Sequence, residues 1–254
     1  MGIEAIGGNQ RDVDRVEALG LPRMATYLHE TGFHAGRALA LYTWNQRVAA
    51  AFWPLISITE VALRNSLDTH VGEWCAYQGG QREWLLDPDL LPPGLKAEFG
   101  GLLPKFITKA ENARKIRDEG TGLNLSVPHP RAGIPLTNDD VLAQITLGEW
   151  NHFIPGIVDK PDPTTYSRRK NLWDACASHA FPSIINPLTL YFPLHRAHQF
   201  RNRVAHHEPI FNTRLPDQRK DLLTILEATN EGLKEWFLGS DRIPHILKED
   251  PRNR

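Results

Sequence analysis

The stretch from Ala35 to Val71, AGRALALYTWNQRVAAAFWPLISITEVALRNSLDTHV, decides the fold class. It is rich in Ala, Leu and aromatic residues and almost free of breakers, so it reads as a long helix. Pro54 is expected to kink that helix or split it in two, because proline removes a backbone donor and crowds the preceding turn. Glu60 and Arg64 interrupt the apolar run, so no bilayer span is expected from it.

Outward from this segment the helical signals continue. A second pattern runs from Gly94 to Glu119 and closes at Gly120. Thr137 or Asn138, followed by Asp139 and Asp140, has the form of an N-cap with an acidic first turn, opening a helix through His152. Further helices are expected near Ser167 to Ala180, from Pro193 to about His207, and from about Pro216 to Leu238. Two irregular stretches separate them, Thr121 to Leu136 and GIVDKPDPTT at Gly156 to Thr165. Alternating β-branched runs of the kind strands require are missing. The expectation is an all-α fold, one helical domain over residues 22–240 with loop insertions, a loose N-terminal segment at 1–21 and a C-terminal tail at 241–254. Trp44, Trp53 and Trp150 are expected in the core.

Composition narrows the classes. With 254 residues, of which 41% are hydrophobic, the chain can bury a proper core. Its formal net charge of −1 gives no global attraction to polyanions, so any nucleic-acid contact must be local. Two cysteines, Cys75 and Cys176, cannot make a disulfide framework or a thiolate zinc site. The polar, acidic start lacks the basic-then-apolar form of a signal peptide, so a cytoplasmic, membrane-free protein is expected. No internal repeat is present, which excludes a solenoid.

The chemistry concentrates in PLHRAHQFRNRVAHHEPIFN, Pro193 to Asn212. On a helix, Leu194, Ala197, Phe200, Val204 and Ala205 gather into one apolar sector, and His195, His198, Asn202 and His206 form a polar stripe opposite. Arg201 lies on the border, where its stem can pack while its head reaches the stripe. Such a group suits RNA cleavage without a metal. A histidine titrating near neutrality can take the 2′-hydroxyl proton or give one to the leaving 5′-oxygen. An arginine offers a fork of donors matched to phosphate oxygens as their charge grows. Spacing alone does not single out this pair, since Arg23 with His29 and Arg64 with His70 show the same looser interval.

The string RNRVAHHEPIF resembles the end-of-core signature of Abi-like abortive-infection proteins of the AbiD and AbiF type, within the HEPN superfamily. LYTWN at Leu41 to Asn45, EVALRN at Glu60 to Asn65 and LGEW at Leu147 to Trp150 accompany it in the family's order. Together they cover roughly residues 20 to 240. Leu147 stands where the family often has Phe, an exchange that keeps apolar character. The resemblance implies a HEPN-like helical bundle and, for active members, a metal-independent endoribonuclease toxin of phage defence. Its RN-xxx-H motif maps onto Arg201, Asn202 and His206. It further implies an RNA substrate, a homodimer that pairs two such motifs, an accompanying protein or RNA antitoxin, and no metal or other cofactor. Other family members only bind RNA, nucleotides or protein partners, and that alternative stands beside the first.

Supporting roles are open. His207 and Glu208 either supply a second acid and orient His206 or are ordinary helix-end residues. Glu60 and Arg64 form an intrahelical ion pair, or, with Asn65, face the interior and brace Arg201. His198 belongs to the stripe. Arg168, Arg169 and Lys170, and also Arg203, either steer RNA or are solvated charges.

Overall fold

The structure is a computed structural model that describes residues 6–120, 129–156 and 162–253, and among them it is all-α. In chain order the helices are α1 (Gln10–Leu19), α2 (Leu21–Glu30), α3 (Ala35–Tyr77), α4 (Pro93–Phe99), α5 (Leu103–Glu119), α6 (Asn138–Leu142), α7 (Leu147–Trp150), α8 (Pro163–Ala175), α9 (Leu188–Ala205), α10 (Leu215–Thr229), α11 (Glu231–Leu238) and α12 (Ile243–Leu247). No described helix is long and apolar enough to cross a membrane.

Several boundaries differ from the sequence expectation, each for a local reason. Helix α3 runs through Pro54 unbroken. Ala50 and Pro54 are both exposed, so water can meet the Ala50 carbonyl that proline leaves without a donor. Trp53, expected in the core, is 48% exposed on that same side, while Phe52 and Leu55 take the buried positions. The expected helix from Gly94 divides into α4 and α5 at Gly100 and Gly101, and α5 ends at Gly120 in the left-handed region, φ 63°. The helix expected to reach His152 divides into α6 and α7 followed by a 3-10 turn. Thr137 does cap α6, through a capping box with Asp140. α9 begins at Leu188, five residues before Pro193, because the Asn186 side chain accepts the Leu188 N–H at 3.0 Å and Pro187 presets the entry. The helix near Ser167 to Ala180 is α8 plus a 3-10 turn. The last expected helix breaks at Asn230 into α10 and α11, where Asn and then Gly232 are weak helix formers.

Among the described residues, both the segment before α2 and the segment after residue 241 carry helical structure. Asn9 caps α1, its side-chain oxygen accepting the Asp12 N–H at 3.0 Å, and Val16 is buried. Beyond residue 241 the chain forms α12 and a 3-10 turn at Pro251–Asn253. Of the irregular stretches, residues 121–128 and 157–161 lie outside the described residues.

The chain packs as two compact units. The first comprises Met1–Thr59, Arg196–Leu223 and Gly232–Arg254. Its core includes Tyr27 against Phe211, ring centroids 5.2 Å apart, and Phe52 edge-on to Phe200 at 4.8 Å. The second comprises Glu60–His195 and Thr224–Glu231. There Phe99 meets Trp84 at 5.6 Å and Phe153 at 4.9 Å, and Trp150 of the LGEW string stacks on Phe153.

Candidate functional site at the end of helix α9

Along α9, Leu190, Leu194, Ala197, Phe200 and Val204 are buried at helical spacing, so the apolar sector lies where its periodicity puts it. Ala205, at the edge of that sector, is half-buried. The opposite positions carry the polar stripe. His198 Nε2 and Asn202 Nδ2 are 3.0 Å apart, so with the amide donating, His198 accepts through Nε2 and holds Asn202 in place. His206 lies one further four-residue step along and is exposed. Arg201 is half-buried. On an ideal helix its position projects about 140° from that of His206, whereas Asn202 is about 40° away.

The helix end is a Schellman closure. His206 N–H still bonds the Asn202 carbonyl at 2.9 Å. Beyond it, His207 N–H bonds the Val204 carbonyl at 3.1 Å and Glu208 N–H the Arg203 carbonyl at 2.9 Å, the paired bonds of that motif. The residue in the left-handed position is His207, φ 56°, where glycine is usual. Pro209 follows and prevents the helix from resuming.

This unfavourable turn is held by residues far away in sequence. Arg23 of α2 donates through Nη1 to the His207 carbonyl at 2.7 Å. Asn45 of α3 is 1% exposed. Its Oδ1 accepts the N–H of Ile210 at 2.8 Å and of Phe211 at 3.2 Å, and its Nδ2 donates to the Glu208 carbonyl at 3.4 Å. Arg203 Nη2 donates to the Pro209 carbonyl at 2.6 Å, and Arg252 Nη2 to that of Phe211 at 3.3 Å. Arg252 also lies over the Phe211 and Trp44 rings, 5.2 and 5.8 Å from their centroids. Four side chains thus fix the backbone just beyond His206.

The other candidate residues distribute as follows. His207 is exposed, and the Glu208 carboxylate lies 3.6 Å from Arg203 Nε. Arg203 therefore bonds the turn rather than standing as a solvated charge. Glu60, Arg64 and Asn65 belong to the second unit. Asn65 is exposed, which goes against the alternative of an inward-facing side chain, because Leu63 and Leu67 occupy the buried positions on either side of it. Arg168 and Arg169, also in the second unit, turn inward onto Glu98, whose side chain is 3% exposed, and Lys170 pairs with Asp174. Burial alone would raise the Glu98 pKa, but hydrogen bonds from His152, Arg168 and Arg169 outweigh it and bring it to about 2. Burial pushes the Cys75 and Cys176 thiols up to about 12, so neither is a nucleophile at neutral pH.

Sequence reading assigned no role to Asn45, Arg23 or Arg252. Asn45 carried a signal, an amide within an apolar helical run, which demands buried partners. Arg23 carried none, its partner lying 184 residues further along. Arg196 was also missed. It grips Asp221 with two bonds of 2.7 Å, which raise its own pKa and tie α9 to α10.

Compared with protein-family models, with curated proteins and with solved structures, the chain matches none of them.

Proposed function

We propose that this chain is a metal-independent endoribonuclease of the Abi-like, HEPN type, acting as a toxin in phage defence. The observation that supports this most directly is the end of α9: an exposed imidazole, His206, on a backbone turn fixed by Asn45, Arg23, Arg203 and Arg252, next to an amide, Asn202, held by His198. Fixing the backbone around an exposed histidine provides the positional constraint that proton transfer demands.

In this reading His206 takes the proton from a ribose 2′-hydroxyl as its oxygen attacks the adjacent phosphorus. Arg201 donates to the phosphate oxygens as their charge grows. The 5′-oxygen leaves with a proton from a second imidazole, giving a 2′,3′-cyclic phosphate and a 5′-hydroxyl. A homodimer that faces two such motifs supplies that second imidazole from His206 of the other copy. It also lets Arg201 of one copy serve the histidine of the other, which suits two positions projecting well apart on a single helix. A protein or RNA antitoxin would restrain the activity between infections.

The test is incubation of purified protein with total RNA in EDTA, followed by end analysis. Fragments ending in 2′,3′-cyclic phosphate support the reading. Tight binding without cleavage would instead assign the chain to the non-catalytic members that hold RNA, a nucleotide or a partner.

A further inference from the structure

A groove of about 410 Å³ lies within the second unit, between the C-terminal end of α3, the start of α4 and one face of α8. Trp74 and Gln78 line it from α3 and the residue just beyond, and Pro93 from α4. From α8 come Arg168, Asn171 and Ala175, on successive turns of one helical face. Its volume falls in the range of small-ligand sites, about 300–1,000 Å³, and its make-up is typical of them, apolar walls with a few converging polar groups.

Among the described residues, Arg168 is the one charged side chain lining the groove, and its orientation is fixed. Its Nε is bound by Glu98, and its Nη2 donates to Thr165 Oγ1 at 3.2 Å. Glu98 stays ionised at any physiological pH and is shared with Arg169 and His152, so it neutralises Arg168 only in part. A guanidinium anchored from behind by a buried carboxylate is presented to the groove already oriented, so less rotamer freedom is lost when an anion binds. Trp74 is half-buried, and an indole in such a wall offers a surface for a flat ring. The amides of Gln78 and Asn171 can meet the donors and acceptors on that ring's edge.

We infer that this groove binds a small ligand consisting of a flat ring that carries an anionic group, the ring lying against Trp74 and the anion on Arg168. A nucleoside monophosphate and an aromatic carboxylate share that chemistry. The inference stands apart from the reading of α9, since none of its residues belongs to that helix.

The experiment is calorimetric titration of the full chain with the four nucleoside monophosphates, with benzoate and indole-3-acetate, and with adenosine and ribose 5-phosphate as probes lacking the anion or the ring. Saturable one-site binding of at least one ring-bearing anion is expected, with adenosine and ribose 5-phosphate weaker by about tenfold or more. Binding of nucleotides alone identifies the ligand as a nucleotide, and binding of the carboxylates alone as an aromatic acid. Arg168→Gln should weaken the complex about tenfold or more. Ala175→Phe, which fills the groove from a half-exposed position outside the Glu98 cluster, should do the same with its melting transition intact. No saturable binding by any probe up to about 5 mM, or unchanged affinity in Ala175→Phe, overturns the inference.

Discussion

Asn45 and Ile210 are 165 residues apart in the chain, and the side-chain oxygen of the first accepts the backbone N–H of the second at 2.8 Å. Because the same oxygen also takes the Phe211 N–H, one buried amide sets the path of the chain after His206. Asn45→Ala leaves both donors buried and unmet, at roughly 1–3 kcal/mol each. Denaturant unfolding should show a loss of about 2–6 kcal/mol. A change within about 0.5 kcal/mol would mean that water or a shifted backbone replaces the amide.

His207 occupies the left-handed position at φ 56° that closes α9. His207→Gly removes the clash of Cβ with the carbonyl oxygen and should raise stability by roughly 0.5–1 kcal/mol, read as a higher melting temperature. His207→Val, branched at Cβ, should lower it. A destabilised glycine variant would show that the imidazole makes contacts worth more than the strain it imposes.

Arg196 and Asp221 form a bidentate pair whose carboxylate side is 8% exposed. Arg196→Ala leaves that carboxylate without its partner. Because about half of the Arg196 side chain is in solvent, the cost should be about 2 kcal/mol, below that of a fully buried pair. Replacing both residues, as Arg196→Met with Asp221→Leu, should recover most of the loss. If the double variant is as unstable as the sum of the single ones, the pair acts through other neighbours.

Glu98 gives a pH dependence whose sign follows from its depressed pKa. Its contribution is fully present above the ordinary glutamate value of about 4.5 and is lost as pH falls through about 2. Thermal melts should therefore show wild type losing stability from about pH 5 downward faster than Glu98→Gln, so that the gap between them narrows. A gap constant from pH 6 to pH 3 would contradict the ionised cluster.

What the sequence made legible was local. The all-α class, the buried face of α9, an N-cap at Thr137 or Asn138 and the Gly120 stop all follow from spacing and propensity and are found, with Thr137 as the cap; its capping box with Asp140 is added by the structure. Pro54, Trp53 and Pro193 were read differently because each depends on which side of its helix meets solvent or on a stronger signal nearby. Asn186 with Pro187 outcompetes Pro193 as a helix start, and the exposed side at Ala50 and Pro54 lets α3 continue. The polar stripe was readable, and the structure adds within it a contact between His198 and Asn202. The clamp on the following turn was not, because Arg23, Asn45 and Arg252 come from distant parts of the chain and no short-range rule links them to His206.

The account turns on whether His206 performs proton transfer on RNA. The most direct measurement is cleavage of a defined RNA in EDTA by wild type and by His206→Ala, with melting temperatures recorded for both. The account predicts that the variant melts like wild type and that its cleavage rate falls by about 100-fold or more. Cleavage by His206→Ala at the wild-type rate, with the same cyclic-phosphate ends, would contradict it.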